Sequence, residues 1–279
     1  MTTQTIRHEP VQEIRFAWDC PQVQDLLLKY WQDRLFGTPA SAARDVDHIT
    51  IQPGAEVLDV GCGLGYHAVE FARRGCNVTA FDPGDRYIDR AREYADRAGI
   101  HIHWRIMKCE DLSAVERFDL AWLGNYCPGQ MTPEQVRDDF KWIWLALKPG
   151  GHFIGSLAGA VKQPPSPRIR AWSRLRDGYV LTEKWRDDTF RHEHCWFIDP
   201  DQGRAIKVVE VQRMFDAAEF ESFLKDAGFV DVELFAGLDD PQPPRPGMPF
   251  AFRARRPETR LFDTSAEYPA QFTFEAENP

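Results

Sequence analysis

The segment 56–65, EVLDVGCGLG, places three glycines between a short apolar strand and the start of a helix. Glycines there permit a sharp turn and let a ligand approach the backbone, with the first N–H groups of the helix pointing at it. The spacing is G-x-G-x-G, and Tyr66 stands where the dinucleotide fingerprint G-x-G-x-x-G needs its third glycine. Asp59, in the strand, would repel a pyrophosphate but would suit an ammonium group. The loop therefore favours a cationic amino-acid ligand over a dinucleotide.

Short apolar runs alternate with amphipathic stretches from residue 56 to residue 160. The pattern predicts strands at 56–60, 77–81, 102–107, 118–123 and 152–157, and helices at 66–74, 85–98 and 133–147. A further helix is predicted at 217–227, and the last two strands at 229–235 and 249–255. Such alternation implies an α/β fold, a parallel sheet with helices on both faces.

A second acidic residue, Asp82, ends the second predicted strand. A carboxylate at this point of a nucleotide-binding α/β domain accepts hydrogen bonds from the hydroxyls of a ribose. The alternative is that Asp82 caps the next helix, although Asp85 could perform that role itself. Ribose contact is the favoured interpretation.

Together these residues resemble the first motif and the ribose-binding acid of the class I S-adenosylmethionine-dependent methyltransferases. The segments 109–112, CEDL, and 147–153, LKPGGHF, are similar to the family's adenine loop and to its turn into strand five, and 220–229 is similar to its late helix and strand entry. The resemblance implies a Rossmann-like seven-stranded mixed sheet with helices on both faces, and S-adenosyl-L-methionine as cofactor. It implies cofactor contacts by Asp59, Gly61, Gly63, Gly65, Asp82, Glu110, Asp111 and Asn125.

In this resemblance Asp111 accepts from the adenine amine and the backbone of Glu110 meets the ring. A solvated loop acid is the alternative for Asp111. Asn125 and Tyr126 follow strand four, where the methyl group would be delivered. The local order Gly-Asn-Tyr-Cys-Pro differs from the N-P-P-Y-like motif of amino-adenine and amide methyltransferases, so that specificity is not indicated.

Three regions surround or interrupt the predicted domain. Residues 1–48 are expected to form an N-terminal helical cap with a helix at 23–36, residues 49–260 the methyltransferase domain, and residues 261–279 an irregular tail. An insertion at about 161–215, after strand five, is predicted to form a β-hairpin lid from strands at 182–198 and 204–215, with 161–178 as a loop or short helix. Its aromatic residues are interpreted as core or lid packing, or else as the wall of a substrate pocket.

Candidate catalytic residues are Tyr126, His192, Glu193 and His194, any of which could deprotonate the acceptor. His192 and His194 alternate on one strand face, and an H-x-H pair without a third ligand is usually not a metal site. Displacement of a thioether needs no metal to stabilise the leaving group, so catalysis requires mainly proximity, orientation and exclusion of water. No metal site is predicted.

The net charge of −9 disfavours nucleic acid as the substrate. The N-terminal residues lack the apolar core of a secretory signal and no run of about 18 apolar residues occurs, so a cytoplasmic protein without membrane contact is expected. Six cysteines without a C-x-x-C pair indicate reduced thiols.

These observations favour methyl transfer from S-adenosylmethionine to a small molecule, at nitrogen or oxygen. Three alternatives stay open. They are a non-catalytic regulator that binds the cofactor, an aminopropyltransferase on the same scaffold, and a nicotinamide oxidoreductase, against which Tyr66 argues. The sequence does not indicate the oligomeric state.

Overall fold

The computed structural model describes residues 20–124, 128–157, 161–199 and 204–258. The helices are α1 Pro21–Phe36, α2 Pro39–Asp47, α3 Tyr66–Arg73, α4 Asp85–Ala98, α5 Pro133–Ala146 and α6 Ala217–Asp226. The strands are β1 Glu56–Val60, β2 Asn77–Asp82, β3 His103–Ile106, β4 Phe118–Leu123, β5 Leu147–Leu157, β6 Ser166–Leu175, β7 Gly178–Arg186, β8 Phe190–Asp199, β9 Arg204–Arg213, β10 Val230–Phe235 and β11 Phe250–Arg255.

Seven strands form one sheet in the order β10-β11-β5-β4-β1-β2-β3. The pairs among β1 to β5 are parallel, whereas β11 is antiparallel to both β5 and β10. The predicted seven-stranded mixed sheet is confirmed. In such a sheet the carboxyl ends of the parallel strands meet at one edge, which is where ligands bind.

Helices cover both faces of this sheet because its central strands are apolar on both sides. On one face Phe140 of α5 packs against Phe153 of β5, and Phe220 of α6 packs against Phe140. On the other face α2, α3 and α4 pack against residues that include Val57 and Trp122. Successive side chains of a strand point to opposite faces, so Asp59 points to the same side as Val57, towards α3.

Local sequence signals set the ends of several helices. Thr132 accepts a hydrogen bond from the N–H of Gln135, whose side chain accepts one from the N–H of Thr132, and Pro133 occupies the first turn of α5. This reciprocal cap satisfies two backbone donors that a helix start leaves free. Gly99 ends α4 in the left-handed conformation, as a glycine at a helix end commonly does.

The insertion after β5 is larger than the single hairpin that the sequence predicts. It is a separate antiparallel sheet of four strands in the order β6-β7-β8-β9. The prediction of a loop or short helix at 161–178 is wrong for 166–175, which forms β6. This strand lies at the edge of its sheet and nearly all its residues are exposed, so no apolar alternation marks it in the sequence.

One face of this second sheet packs against α1. Val23 and Leu27 of the helix contact Cys195 and Phe197 of β8 in a small apolar cluster, and the ring of Tyr30 stacks on Phe197 at 6.0 Å. The N-terminal segment thus joins the added sheet to the main domain. None of the helices in the described ranges combines the length and apolar character needed to cross a bilayer.

Phe153 lies in the centre of the main core, fully buried and in ring contact with Phe140, Phe229 and Phe252. We expect Phe153→Ala to lower the free energy of unfolding by about 3–5 kcal/mol, because it removes a large apolar side chain and leaves a cavity. Urea denaturation followed by circular dichroism measures the loss. A change below about 1 kcal/mol, the size expected for an exposed site, would contradict this packing.

Candidate functional site

Asp59 is a completely buried carboxylate next to the glycine loop. Its relative exposure is 0%, and neither of its two oxygens accepts a hydrogen bond within the described residues. The N–H of Ala68 lies near enough to oppose the effect of burial without completing a hydrogen bond. Buried carboxylates are normally paired or hydrogen-bonded, so this one lacks a partner.

Burial raises the pKa of Asp59 from the ordinary 3.8 to about 7, and the nearby His67 partly opposes the rise. The Nε2 atom of His67 lies 3.0 Å from Asp45 of α2, while its Nδ1 atom is buried without a partner. Its ring also lies against Trp122, with centroids 5.0 Å apart. A cationic ligand that reached this pocket would favour the ionised form of Asp59.

Asp82 connects the loops that follow β1 and β2. Its Oδ2 accepts from the N–H of Gly63 at 2.9 Å, and its Oδ1 accepts from the N–H of Gly84 at 2.8 Å. Burial raises its pKa to about 6, and these two backbone donors oppose the rise. The carboxylate is therefore fixed at the carboxyl edge of the sheet, and each oxygen keeps a lone pair free for a further donor.

The glycine loop needs glycine for conformation and for space. Gly61, Gly63 and Gly65 have φ values of 61°, 54° and 68°, in the left-handed region that other residues adopt rarely. At Gly65 a Cβ would also overlap the indole of Trp104. The bend thus brings bare backbone to the start of α3, beside Asp59.

The predicted adenine loop forms a short 3-10 turn, Cys109–Asp111, after β3. Glu110 and Asp111 are both exposed. Asp111 accepts from the backbone N–H of Lys108 at 3.0 Å, so part of its hydrogen-bonding capacity closes the turn itself. The structure brings this turn to the same sheet edge as Asp82, since β2 and β3 are parallel neighbours.

The three candidate bases that the structure describes do not converge. Tyr126 lies outside the described residues, as does Asn125. On β8, Glu193 is 5% exposed and shares the face of Cys195 towards α1, whereas His192 and His194 point to the opposite face. Which of the four acts as a base stays a prediction.

Each of these three β8 side chains has its own partners. Glu193 contacts Lys184 at 2.6 Å and Arg34 at 3.3 Å, and these cations help hold its pKa below the ordinary value against the opposing effect of burial. His192 stacks on Trp185 and contacts Asp187 at 2.9 Å. His194 lies 3.8 Å from Glu183. The histidines therefore belong to a network of contacts on the face of the second sheet opposite α1, which we call its outer face.

Sequence reasoning missed several polar residues that the fold brings near the carboxyl edge. Gln130, after β4, donates to Glu210 of β9 at 2.6 Å, although 80 residues separate them. His67 and Asp45 are joined across α2 and α3. The only signal in the sequence is weak: Glu210 and Gln212 alternate with Val209 and Val211 on β9.

The residues around the bend fit S-adenosylmethionine. Its ammonium matches the unpaired carboxylate of Asp59, its ribose hydroxyls match the free lone pairs of Asp82, and the glycines leave room for close approach to the backbone. Among the described residues no three His, Cys, Asp or Glu side chains are grouped as metal ligands.

Comparison with known proteins gives the same result. A family model described as a methyltransferase domain matches residues 57–151. The ubiquinone biosynthesis O-methyltransferase of Paramagnetospirillum magneticum is 32% identical over 208 residues, which cover 73% of this chain and 68% of that protein. Two further relatives of the same name are matched over only 23% and 57% of their lengths.

The chain belongs to the class I S-adenosylmethionine-dependent methyltransferases.

Solved structures confirm the fold of this methyltransferase. An S-adenosylmethionine-dependent methyltransferase from Clostridium acetobutylicum superposes with a TM-score of 0.66 at 13% identity, covering 85% of this chain and 98% of its own. The sugar N-methyltransferase KedS8 of a Streptoalloteichus species gives a TM-score of 0.58 at 16% identity, covering 92% of this chain and 98% of its own. Membership of this family, shown by the sequence relatives, makes S-adenosylmethionine the cofactor of this enzyme.

Asp59→Asn should stabilise the ligand-free methyltransferase above pH 7, by about 1–3 kcal/mol, because it removes an unpaired buried charge. The folded pKa of about 7 lies above the ordinary value of 3.8, so the folded carboxyl holds a proton that the unfolded one has lost. Wild-type stability therefore falls as pH rises from about 4 to 7, and the advantage of the variant grows over the same range. Urea denaturation at several pH values measures it. An Asn variant less stable at pH 8 would show that Asp59 has an ionic partner.

Proposed function

We propose that this methyltransferase transfers the methyl group to a hydroxyl or amino group of a small molecule bound at the carboxyl edge of the sheet. The proposal rests on one observation: the second sheet and α1 lie over this edge. The second sheet is tied to the segment after β4 by the Gln130–Glu210 hydrogen bond, and to α1 by the Arg34–Glu193 ion pair at 3.3 Å. A covered edge suits a metabolite better than a polymer.

Two further observations support a small acceptor. The related protein of Paramagnetospirillum magneticum is named an O-methyltransferase of ubiquinone biosynthesis, a small-molecule pathway, which favours oxygen as the acceptor atom. The net charge of −9 opposes binding of nucleic acid or of an anionic membrane surface. We therefore include neither nucleic acid nor membrane among the partners.

The cofactor is proposed to lie across the glycine bend. Asp59 pairs with its ammonium, Gly61, Gly63 and Gly65 admit it to the backbone, and Asp82 accepts from the ribose. Glu110 and Asp111 meet the adenine, and Asn125 lies near the methyl group. When bound, it supplies the methyl group as an activated sulfonium. The protein's own residues orient the acceptor, exclude water and, where needed, remove its proton.

The base is proposed to come from Tyr126 or from the inner face of the second sheet, where Glu193 lies. His192 and His194 point to the outer face, so in this arrangement they support the sheet through Trp185 and Asp187. Residues 20–48 and the insertion act as cover for the domain that spans 49–260. We assign the reaction to the cytoplasm, because the cysteines of the described ranges are free thiols, as in reducing compartments.

Asp82→Ala should weaken S-adenosylmethionine binding by about 10- to 100-fold, because it removes hydrogen bonds from a charged acceptor and frees the Gly63 and Gly84 amides. Isothermal titration calorimetry measures the affinity, with Asp85→Ala as control, since Asp85 is only half-buried in the first turn of α4. Wild-type affinity in Asp82→Ala would remove this residue from the cofactor site.

The acceptor class is tested with tritiated S-adenosylmethionine and a cell extract separated by ultrafiltration into small molecules and macromolecules. We expect label in the small-molecule fraction with the wild-type enzyme and a strong reduction with Asp82→Ala. Label in protein or nucleic acid would contradict the proposal. Tight cofactor binding without transfer to either fraction would favour the non-catalytic regulator instead.

A further inference from the structure

A polar cluster lies between the second sheet and the segment that follows β4. Gln130 reaches it from the main domain, and the other members stand on β8 and β9. In the register of these strands Arg191 is opposite Gln212 and Glu193 is opposite Glu210. Cross-strand partners share a face, so all four side chains lie on the face of the sheet that Gln130 contacts through Glu210.

Glu210 orients the two glutamines of this cluster. Its Oε1 accepts from the Nε2 of Gln130 at 2.6 Å and also from the Nε2 of Gln212. An ionised carboxylate only accepts hydrogen bonds, so both amides must turn their NH2 groups towards it. Their carbonyl oxygens are then directed away from Glu210, and both are buried without a hydrogen-bond partner.

The cluster therefore has defined, unused hydrogen-bonding positions. Gln130 and Gln212 each offer an amide oxygen, and the buried Nε of Arg191 offers an unused donor. Gln212 is only 6% exposed, so little of its side chain faces bulk solvent. Buried polar atoms normally have hydrogen-bond partners. A ligand that satisfies these three atoms must donate two hydrogen bonds, one to each amide oxygen, and accept one from the Nε of Arg191.

The charges around the cluster disfavour a cationic ligand. The carboxylates are those of Glu193 and Glu210, and the cations are Arg34, Lys184 and Arg191, all of which lie within 4.0 Å of Glu193. One positive charge is thus in excess, and it would repel an ammonium group. A neutral hydroxyl fits, because it can donate to an amide oxygen and accept from Arg191.

The cluster also lies on the side of the sheet where the proposed function has the methyl group transferred. Gln130 is in the short turn Pro128–Gln130, in the segment between β4 and α5, and β4 is the parallel neighbour of β1, which the glycine loop follows. We propose that Gln130, Arg191 and Gln212 bind the methyl acceptor, and that this acceptor is a neutral molecule with two neighbouring hydroxyl groups. The inference rests on the proposed function, and it narrows the acceptor to a diol.

Two classes of compound carry neighbouring hydroxyl groups: aromatic rings with two adjacent phenol groups, and sugars. The first experiment titrates the enzyme, saturated with S-adenosylhomocysteine, with catechol, with methyl glucopyranoside, and with veratrole, the dimethyl ether of catechol. Saturation-transfer NMR detects millimolar binding. We expect one of the two diols to bind and veratrole to fail, since it has no hydroxyl hydrogen to donate. Equal binding of catechol and veratrole, or binding of neither diol, would overturn the proposal.

The second experiment changes the cluster. Gln130→Leu and Gln212→Leu should each weaken binding of the diol by about tenfold, the loss of one hydrogen bond, and leave the affinity for S-adenosylhomocysteine unchanged. Glu210→Gln should weaken it as well, because the two amides lose the carboxylate that fixes their orientation. The matched control is Gln52→Leu, an exposed residue ahead of β1 that should have no effect.

These measurements separate the two proposals. If the wild-type enzyme failed to bind S-adenosylhomocysteine, or transferred no methyl group to any small molecule, the proposed function would be refuted. Intact cofactor binding and small-molecule transfer, with diol affinity unchanged in both leucine variants, would refute the acceptor site alone. Circular dichroism confirms that each variant is folded.

Discussion

The unpaired carboxylate of Asp59, buried behind a bend of three left-handed glycines, is the constraint on which the site depends. Its strand is central in the sheet, and its side chain points into the packed face beneath α3. Ionising a carboxylate there is costly without a partner, and burial raises its pKa to about 7. A ligand that brings a positive charge removes that cost. The ligand-free protein therefore holds an unfavourable group, and in the proposed site the ammonium of the cofactor would make it favourable.

Other contacts fix the carboxyl edge of the main sheet next to Asp59. Asp82 joins the loops after β1 and β2 through the N–H groups of Gly63 and Gly84, so the pocket wall is fixed before a ligand arrives. Preorganisation of this kind lowers the cost of binding and of reaction. The second sheet and α1 then cover the side on which the proposed function has the acceptor bind, through contacts such as Arg34–Glu193 and Gln130–Glu210.

Much of the main domain could be predicted from the sequence because its signals are local. The strands at 56–60 and 118–123 are short apolar runs, and the predicted bounds are those of β1 and β4. The glycine loop, Asp59 and Asp82 followed from spacing and residue type alone. β6 could not be predicted, since an exposed edge strand is held by hydrogen bonds to β7 rather than by burial, and it leaves no apolar pattern.

The residues of the proposed acceptor site could not be predicted from the sequence. Gln130 and Glu210 meet only because the insertion folds back over the end of β4, and no spacing rule reports a contact between residues so far apart. The pair His192 and His194 drew attention as an H-x-H pattern, yet strand geometry places both on the outer face. Pairing across distant elements, rather than residue type, determines which side chains line this side of the pocket.

The carboxyl group of Asp59 can be observed directly by NMR titration of protein labelled with 13C at the aspartate carboxyl carbons, with Asp59→Asn providing the assignment. In the ligand-free enzyme the resonance should titrate with a pKa of about 7, and saturation with S-adenosylmethionine should lower that pKa towards the ordinary value or below it. A resonance that titrates near 4 in the free enzyme, or one whose pKa the cofactor leaves unchanged, would contradict this account of the site.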